Sequence, residues 1–343
     1  MQVDIVERLD AGQLSAVLAL TKAAEAADLV APLSEQVLLA ARGGATAGST
    51  HFLAYAGTHL AGYAHLQPGL AAEAATAEVV VDPADRRQGV GTALIRALEA
   101  ALEDAPEAAP EDAREDDQAP RAGTAQPDAR SSQPDAGTLQ IWSHGHLEGA
   151  RALAARDGYA TVRELWAMRR SLTSEAGPLP AVVLPAGFRS RQFVVGQDED
   201  AWLRVNARAF ADHPEQGRMT RHDLDRRIAE PWFDAKGFIL IEDTRGGVPV
   251  LAASHWTKIV PADPQVSPAE GEVYVVGVDP AYQGLGLGRA VTVLGLAHLR
   301  ERGLTRAMLY VDADNDAAVA TYSRLGFTRF AADVMYSPPF TRQ

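Results

Sequence analysis

The positions with the most chemistry in their types and spacing are the run Gln283-Gly284-Leu285-Gly286-Leu287-Gly288 and its counterpart Arg86-Arg87-Gln88-Gly89-Val90-Gly91. Ahead of the later run lie Val273, Val275, Val276 and Val278, a β-branched stretch that breaks at Asp279-Pro280. Behind it come Val291, Leu294, Leu296 and Leu299, with cations at Arg300 and Arg302. The spacing predicts a strand, a glycine loop and a helix N-terminus. The first amides of a helix have no internal partner, and the macrodipole favours negative charge there. Glycines let an anion such as a pyrophosphate come close to the backbone. For one such loop, a glycine-rich turn without a ligand is the alternative.

The second occurrence decides the architecture. VVVDPADRRQGVGTAL aligns with VGVDPAYQGLGLGRAV, pairing Asp82 with Asp279, Pro83 with Pro280, Gly89 with Gly286 and Gly91 with Gly288 at a constant 197 residues. Downstream, ALAARDGYATVRE aligns with TYSRLGFTRFAAD, with Gly158 opposite Gly326 at an offset of 168. The first copy therefore carries about 29 extra residues between its motifs, and an internal repeat organises the chain.

The elements that must position these loops follow from periodicity. In the first copy we expect a helix over 14–29 and a second one capped by Ser34. Strands are expected over 51–55, 60–66, 76–81 and 138–143, then a helix over 147–157 and a strand over 160–170. Residues 171–187, with Gly177, Pro178, Pro180 and Pro185, read as a linker. The second copy has strands near 189–195, 238–242, 250–258 and 307–312, helices near 199–210, 220–229 and 316–325, and a last strand from Phe327. The expected domains are thus 1–170 and 188–343. Residues 104–137 are rich in Ala, Pro, Asp, Glu, Gln and Ser without apolar periodicity and read as a disordered insert.

Composition narrows the classes. At 343 residues and 47% hydrophobic, two domains with real cores are the natural expectation. The absence of cysteine excludes a thiol nucleophile, a disulfide and a cysteine-ligated metal, and fits a cytoplasmic protein. No apolar run reaches the roughly 18 residues of a membrane span, so no membrane partner is expected. The net charge of −13 argues against nucleic-acid binding. Of that charge, −7 falls in 103–137, so no inference about substrate charge follows. His144 and His146 read as a surface pair, and no metal site is expected.

Taken together, the two loops, each behind a V-x-V-D-P strand and each followed by D-G-Y or L-G-F, resemble the acetyl-CoA signature of the GCN5-related N-acetyltransferase superfamily, present twice. A Rossmann loop fits less well, since no repeating βαβ units follow. The segments VAPLSEQVL, NARAFADHPEQG, SHWTK, GEVYVVGVDP and LYVDADNDAAVATYSRLGF narrow the resemblance to the mycothiol synthase family of tandem acetyltransferases. It spans nearly everything except the insert. The resemblance implies an α/β (α+β) fold of two GNAT domains, each a mixed, mostly antiparallel sheet flanked by helices. It also implies acetyl transfer from acetyl-CoA, with no metal, to the cysteine amine of cysteinyl-glucosaminyl-inositol, a small-molecule amine substrate.

What the resemblance implies for single residues is as follows. Acetyl-CoA would lie along Val79, Val80, Val81 and Arg87, Gln88, Gly89, Val90, Gly91, Thr92 in the first half. In the second half it would lie along Val276, Gly277, Val278 and Gln283, Gly284, Leu285, Gly286, Leu287, Gly288, Arg289. A second contact would run over Asn315, Asp316, Ala317, Ala318, Val319 and Ala320, where Asn315 equally suits a plain N-cap. Gly277 would permit a β-bulge that turns amides toward the thioester. Glu272 would take the proton of the substrate ammonium, and Tyr322 would protonate the leaving thiolate. Glu35, Glu215, Lys258, Glu272 and Tyr310 would contact the acceptor. Counting back along the first copy gives Ala75 and Ala154 where the second has Glu272 and Tyr322, so the first half is expected to bind CoA without chemistry. Leu285 supplies no charge in the second loop, where Arg289 would compensate. The chain is expected to be monomeric. Acetylation of another small amine or a protein N-terminus, or a non-catalytic CoA-sensing role, remain as alternatives.

Overall fold

The computed structural model describes residues 1–43, 48–69, 73–103, 138–211, 214–262 and 268–339, so the expected insert at 104–137 lies outside the described residues. Chain contacts divide the molecule into unit 1, Met1–Glu164 with Ala332–Gln343, and unit 2, Leu165–Ala331.

The first copy runs β1 (Gln2–Val6), α1 (Ala11–Asp28), α2 (Glu35–Ala41), β2 (Thr50–Ala56), β3 (His59–Gln67), β4 (Ala75–Val81), α3 (Val90–Glu103), β5 (Leu139–Ser143), α4 (Glu148–Arg156) and β6 (Ala160–Ser171). The second runs β7 (Phe188–Gln192), α5 (Glu199–Ala209), α6 (Pro214–Gly217), α7 (Arg221–Ile228), β8 (Phe238–Asp243), β9 (Val250–Val260), β10 (Glu270–Val278), α8 (Leu287–Glu301), β11 (Arg306–Asp312), α9 (Asp316–Arg324) and β12 (Thr328–Ser337). Helix α1 starts three residues before the first periodic leucine, because Asp10 and Gln13 close a capping box there.

In unit 1 the strand order is β1-β2-β3-β4-β5-β12, antiparallel except for β4 beside β5. Unit 2 has β7-β8-β9-β10-β11-β6, antiparallel except for β10 beside β11. The sequence places β6 with the first copy and β12 with the second. In the structure, Leu165–Ser171 of β6 pairs with β11, and Val334–Tyr336 of β12 pairs with β5. The unit boundary therefore lies inside these two strands and not in the expected linker. That stretch packs on unit 2: Leu172, Leu179 and Val182 join the cluster around Leu296 and Phe327, and Leu184 joins the one around Val291.

Alternation sorts each sheet into two cores. In unit 1, Phe52 and Ala54 meet Leu94 and Leu98 of α3, while Leu53 meets Val17 and Leu20 of α1. In unit 2, Phe238 and Leu240 pack with Trp202, Leu224 and Trp256, and Ile239 and Ile241 pack with Val291 of α8.

Helix α8 approaches β9 closely because one residue is a glycine. His255 is fully buried, and its Nδ1–H donates to the Val291 carbonyl at 3.1 Å. A Cβ built on Gly295 would stand 2.1 Å from the His255 ring. Gly295→Ala is expected to exceed the ~1–3 kcal/mol usual for overpacking. A urea midpoint equal to that of the parent protein would disprove this close packing.

Candidate active site

The two glycine loops have the same backbone conformation. Asp82 and Asp279 have φ −52 and −56 and ψ 129 and 132, and each side chain accepts an amide two residues on. Arg86 and Gln283 have φ −63 and −65 and ψ 153 and 158. The next turn needs positive φ twice, at Arg87 (64) and Gly89 (88) in one loop and at Gly284 (78) and Gly286 (75) in the other. Gly284 and Gly286 have open space where a Cβ would point. Gly286 is the N-cap of α8 and offers no side-chain cap, so the first amides of that helix stay available to an anion.

Arg86 is spent on a bidentate pair with Asp28, at 2.7 and 2.6 Å. Arg87 and Arg289 are exposed and carry no side-chain hydrogen bond or ion pair among the described residues. Each loop therefore keeps one guanidinium for a ligand. For Arg87 this comes in the left-handed region, which costs a non-glycine residue about 1–2 kcal/mol.

The expected bulge exists, but not at Gly277. The register of β10 against β9 shifts between Val273 and Val275, which makes Tyr274 the extra residue. Packing explains the position. Val273 belongs to the core around Leu296, and Val275 to the core around Trp202. Two residues of one parity can reach opposite faces only if a residue is inserted between them. At Gly277 the register with β9 is unbroken, opposite Ser254, and a Cβ there would make only ordinary contacts, 3.4 Å from Ala209 and 3.5 Å from Phe210.

Strand β10 also separates early from β11. Their parallel register covers Gly271↔Ala307 and Glu272↔Met308, after which β11 continues with β6 and β10 with β9. The backbone of Val273–Val278 thus has an edge without a strand partner among the described residues. In unit 1 the pairing of β4 with β5 lasts through Glu78↔Trp142, three repeat positions further, and the β3–β4 register is unbroken. Val79, Val80 and Val81 lie beyond that point, opposite Ala64, Tyr63 and Gly62.

Glu272 stands where β10 begins to part from β11, half-buried, directly opposite Lys258 in the β9 register. The Lys258 ammonium lies 4.8 Å from the Trp232 ring and 5.1 Å from the Tyr274 ring, and these rings are themselves 5.1 Å apart. Arg227 donates to the Tyr274 hydroxyl at 2.9 Å. The sequence reading missed Trp232, Tyr274 and Arg227. The phase of the Val run around Tyr274 is the one signal of the bulge in the sequence, where Gly277 is the expected place for it.

Tyr322 lies in α9 with its ring 5.9 Å from Phe327. Burial pushes its phenol up to about 12. Tyr310 is exposed on β11. Asn315 caps α9, its side-chain oxygen accepting from the Ala318 amide at 3.1 Å, and Asp316, Ala317, Ala318, Val319 and Ala320 form the first turns. Glu215 falls in α6, and its side chain lies outside the described residues. Glu35 belongs to unit 1, in the first turn of α2.

Unit 1 replaces the pair with Ala75 on β4 and buried Ala154 on α4. It has instead a polar group that the sequence did not reveal. His144 is not a surface residue. Its ring lies 3.3 Å from Glu78 and 2.9 Å from Asp333, and both carboxylates are buried. Burial alone would lower the pKa of His144, but the two carboxylates outweigh it and hold the imidazolium up to about 10. Glu78 also accepts the Ser34 amide at 2.7 Å, which fixes the start of α2 beside Glu35. Elsewhere in unit 1, exposed His59 lies 3.0 Å from half-buried Asp85 and 3.5 Å from half-buried Asp82.

Unit 2, then, contains a glycine loop with free helix amides, a strand edge with unpaired backbone, a half-buried carboxylate and a protonated phenol. Backbone amides can hold a developing oxyanion, a carboxylate can take a proton, and a phenol can give one.

Comparison with known proteins points the same way. Residues 205–327 match the acetyltransferase (GNAT) family, and residues 47–122 match an acetyltransferase (GNAT) domain. The chain is 50% identical over 327 residues to a mycothiol acetyltransferase of Thermomonospora curvata, covering 95% of this chain and 94% of that protein. It is 46% identical over 336 residues to the mycothiol acetyltransferase of Thermobispora bispora, covering 98% and 99%. Among solved structures, a tandem GNAT protein from the clavulanic acid biosynthesis pathway matches with a TM-score of 0.67 at 17% identity, covering 99% of this chain and 100% of that one. A GCN5-related N-acetyltransferase from Sphaerobacter thermophilus matches with a TM-score of 0.63 at 22% identity, covering 99% and 98%. These two likenesses concern the fold.

Proposed function

Since the chain belongs to the GNAT acetyltransferases and, within them, to the mycothiol acetyltransferase family, we propose that it transfers the acetyl group of acetyl-CoA to the cysteine amine of cysteinyl-glucosaminyl-inositol, giving mycothiol and CoA, and that unit 2 performs the chemistry. The observation that carries the choice of unit is that unit 2 has Glu272 on β10 and Tyr322 on α9, where unit 1 has Ala75 and Ala154 at the repeat-equivalent positions.

The pyrophosphate sits on the amides of Gly284 to Gly288 with Arg289 beside it, and the pantetheine arm follows the free edge of β10. Glu272 receives the proton of the acceptor ammonium, directly or through water. The neutral amine attacks the thioester carbon, forming the C–N bond, and backbone amides of the β10 edge hold the oxyanion. The C–S bond then breaks, the thiolate takes the Tyr322 proton, the surplus proton of the new amide nitrogen restores the phenol, and Glu272 gives up the proton it took to solvent. Lys258 and Tyr310 face the hydroxyl-rich part of the acceptor, with Lys258 held between Trp232 and Tyr274. In unit 1, Arg87 to Thr92 form a second CoA loop without turnover.

The left-handed conformation of Gly286 makes this assignment testable. Alanine there would cost roughly 1–2 kcal/mol. Gly286→Ala is expected to weaken acetyl-CoA binding at unit 2 about 5- to 30-fold and to raise its KM in step. Gly89→Ala should leave turnover unchanged. Calorimetry on both variants, with steady-state rates, checks it; the reverse pattern would move the chemistry to unit 1.

The function itself is tested by mixing the purified protein with acetyl-CoA and a panel of amines and following free CoA. Release is expected with the cysteinyl pseudodisaccharide. Faster release with an aminoglycoside or a peptide N-terminus would replace the acceptor. No release with any amine would favour the CoA-sensing alternative.

A further inference from the structure

The segment NARAFADHPEQG runs from Asn206, near the end of α5, to Gly217, the last residue of α6. A four-residue helix has too few internal hydrogen bonds to stand alone, so α6 must be held from outside. Asn206 holds it. This residue is 2% exposed, and its amide meets Gln216 at two points. Its Nδ2–H donates to the Gln216 carbonyl at 2.7 Å, and its Oδ1 accepts from the Gln216 Nε2–H at 2.9 Å. A second tie lies close by. A Cβ on Gly217 would collide with the Phe210 carbonyl, so a glycine is what lets α6 come this near to the end of α5. That end is in turn placed against β10. Ala209 and Phe210 lie 3.4 and 3.5 Å from where a Cβ of Gly277 would stand, on the strand whose edge over Val273–Val278 has no strand partner among the described residues. Phe210 and Met219, one before α6 and one after it, pack with the core around Trp202 and Val275.

A buried amide is costly unless its polar atoms are paired, and an apolar side chain would fill the same space without that demand. Both polar ends of the Asn206 side chain go to one residue, the neighbour of Glu215 in α6. We propose that Asn206 is a positioning residue for the acceptor: through Gln216 it fixes the turn that carries Glu215 against α5, without itself touching substrate. The inference rests on the acceptor reading above, with Glu215 as one of the acceptor's contacts. A turn fixed before substrate arrives spares the cost of ordering it on binding, so its loosening is read in acceptor binding and not in the chemical step.

The test is steady-state kinetics of the full chain with acetyl-CoA and the cysteinyl pseudodisaccharide, with thermal unfolding of each variant. Asn206→Ala is expected to raise the acceptor KM about tenfold, the size of one well-formed hydrogen-bonded tie. Its kcat at saturating acceptor and its KM for acetyl-CoA should stay within about twofold of the parent's, the pattern of a lost binding contact. Gln216→Ala removes a half-buried side chain, keeps the carbonyl bond and should give a smaller rise of the same kind. It decides the matter if Asn206→Ala fails to fold. Glu215→Gln should also raise the acceptor KM, and adding Asn206→Ala to it should change little more. An acceptor KM unmoved in the folded variants or in Glu215→Gln, a fall in kcat in place of a rise in KM, or full additivity of the double variant overturns the proposal. A parent protein inactive toward this acceptor would overturn the acceptor reading and the inference together, whereas the other outcomes refute the inference alone.

Discussion

Tyr322→Phe is expected to lower kcat about 10²- to 10⁴-fold, the usual range for losing a positioned general acid, while acetyl-CoA affinity stays within about twofold by the same reasoning. Phenylalanine keeps the ring contact with Phe327 at 5.9 Å and removes only the hydroxyl, so the fold and the CoA loop stay intact. The pH dependence sharpens the test. Burial raises the phenol to about 12, so Tyr322 stays protonated, and able to donate, from neutral pH up to that value. A basic limb of kcat with a midpoint near 8 or 9 would therefore belong to another group. Pre-steady-state acetyl transfer, which separates chemistry from CoA release, is the measurement. Unchanged turnover in the variant would remove Tyr322 as the proton donor.

Glu272→Gln should cost a similar factor, about 10²- to 10⁴-fold, but in kcat/KM for the acceptor and with a different pH signature. An α-amine has an ordinary pKa of about 7.7–8.0 and is mostly ammonium at pH 7. Without the carboxylate the enzyme must wait for amine already neutral in solution. The variant's kcat/KM should therefore climb with pH through that range more steeply than the parent's, narrowing the gap at pH 9. Glutamine has nearly the same size and preserves the strand register with Lys258 and Met308. An equal loss at every pH would assign Glu272 to binding, and a loss below threefold would leave it without a role.

Much of this site was legible before any coordinates, for a local reason. The need for positive φ at Gly284, Gly286 and Gly89 and the Asp-Pro turns ahead of them are properties of a few adjacent residues. A repeat of such a motif survives as a repeat in the sequence. The same holds for the strands, whose alternating apolar residues face two cores, and for α2 behind its Ser34 cap. The absence of Glu272 and Tyr322 equivalents in unit 1 follows from counting alone.

By itself the sequence determined two related halves, their loops, alanine at 75 and 154, and the order of the strands and helices apart from β1 and α6. Only tertiary structure decided which strand closes which sheet, because the edges that β6 and β12 join are made by residues far away in the chain. It also decided that the bulge falls at Tyr274, since that follows from Val273 and Val275 packing against different helices. His144 looked like a surface histidine because its partner Asp333 lies 189 residues away. The pair that Arg169 makes with buried Glu270 likewise spans 101 residues. Burial and pairing of charge depend on which distant side chains the fold brings within a few ångströms, and spacing along a chain does not record that.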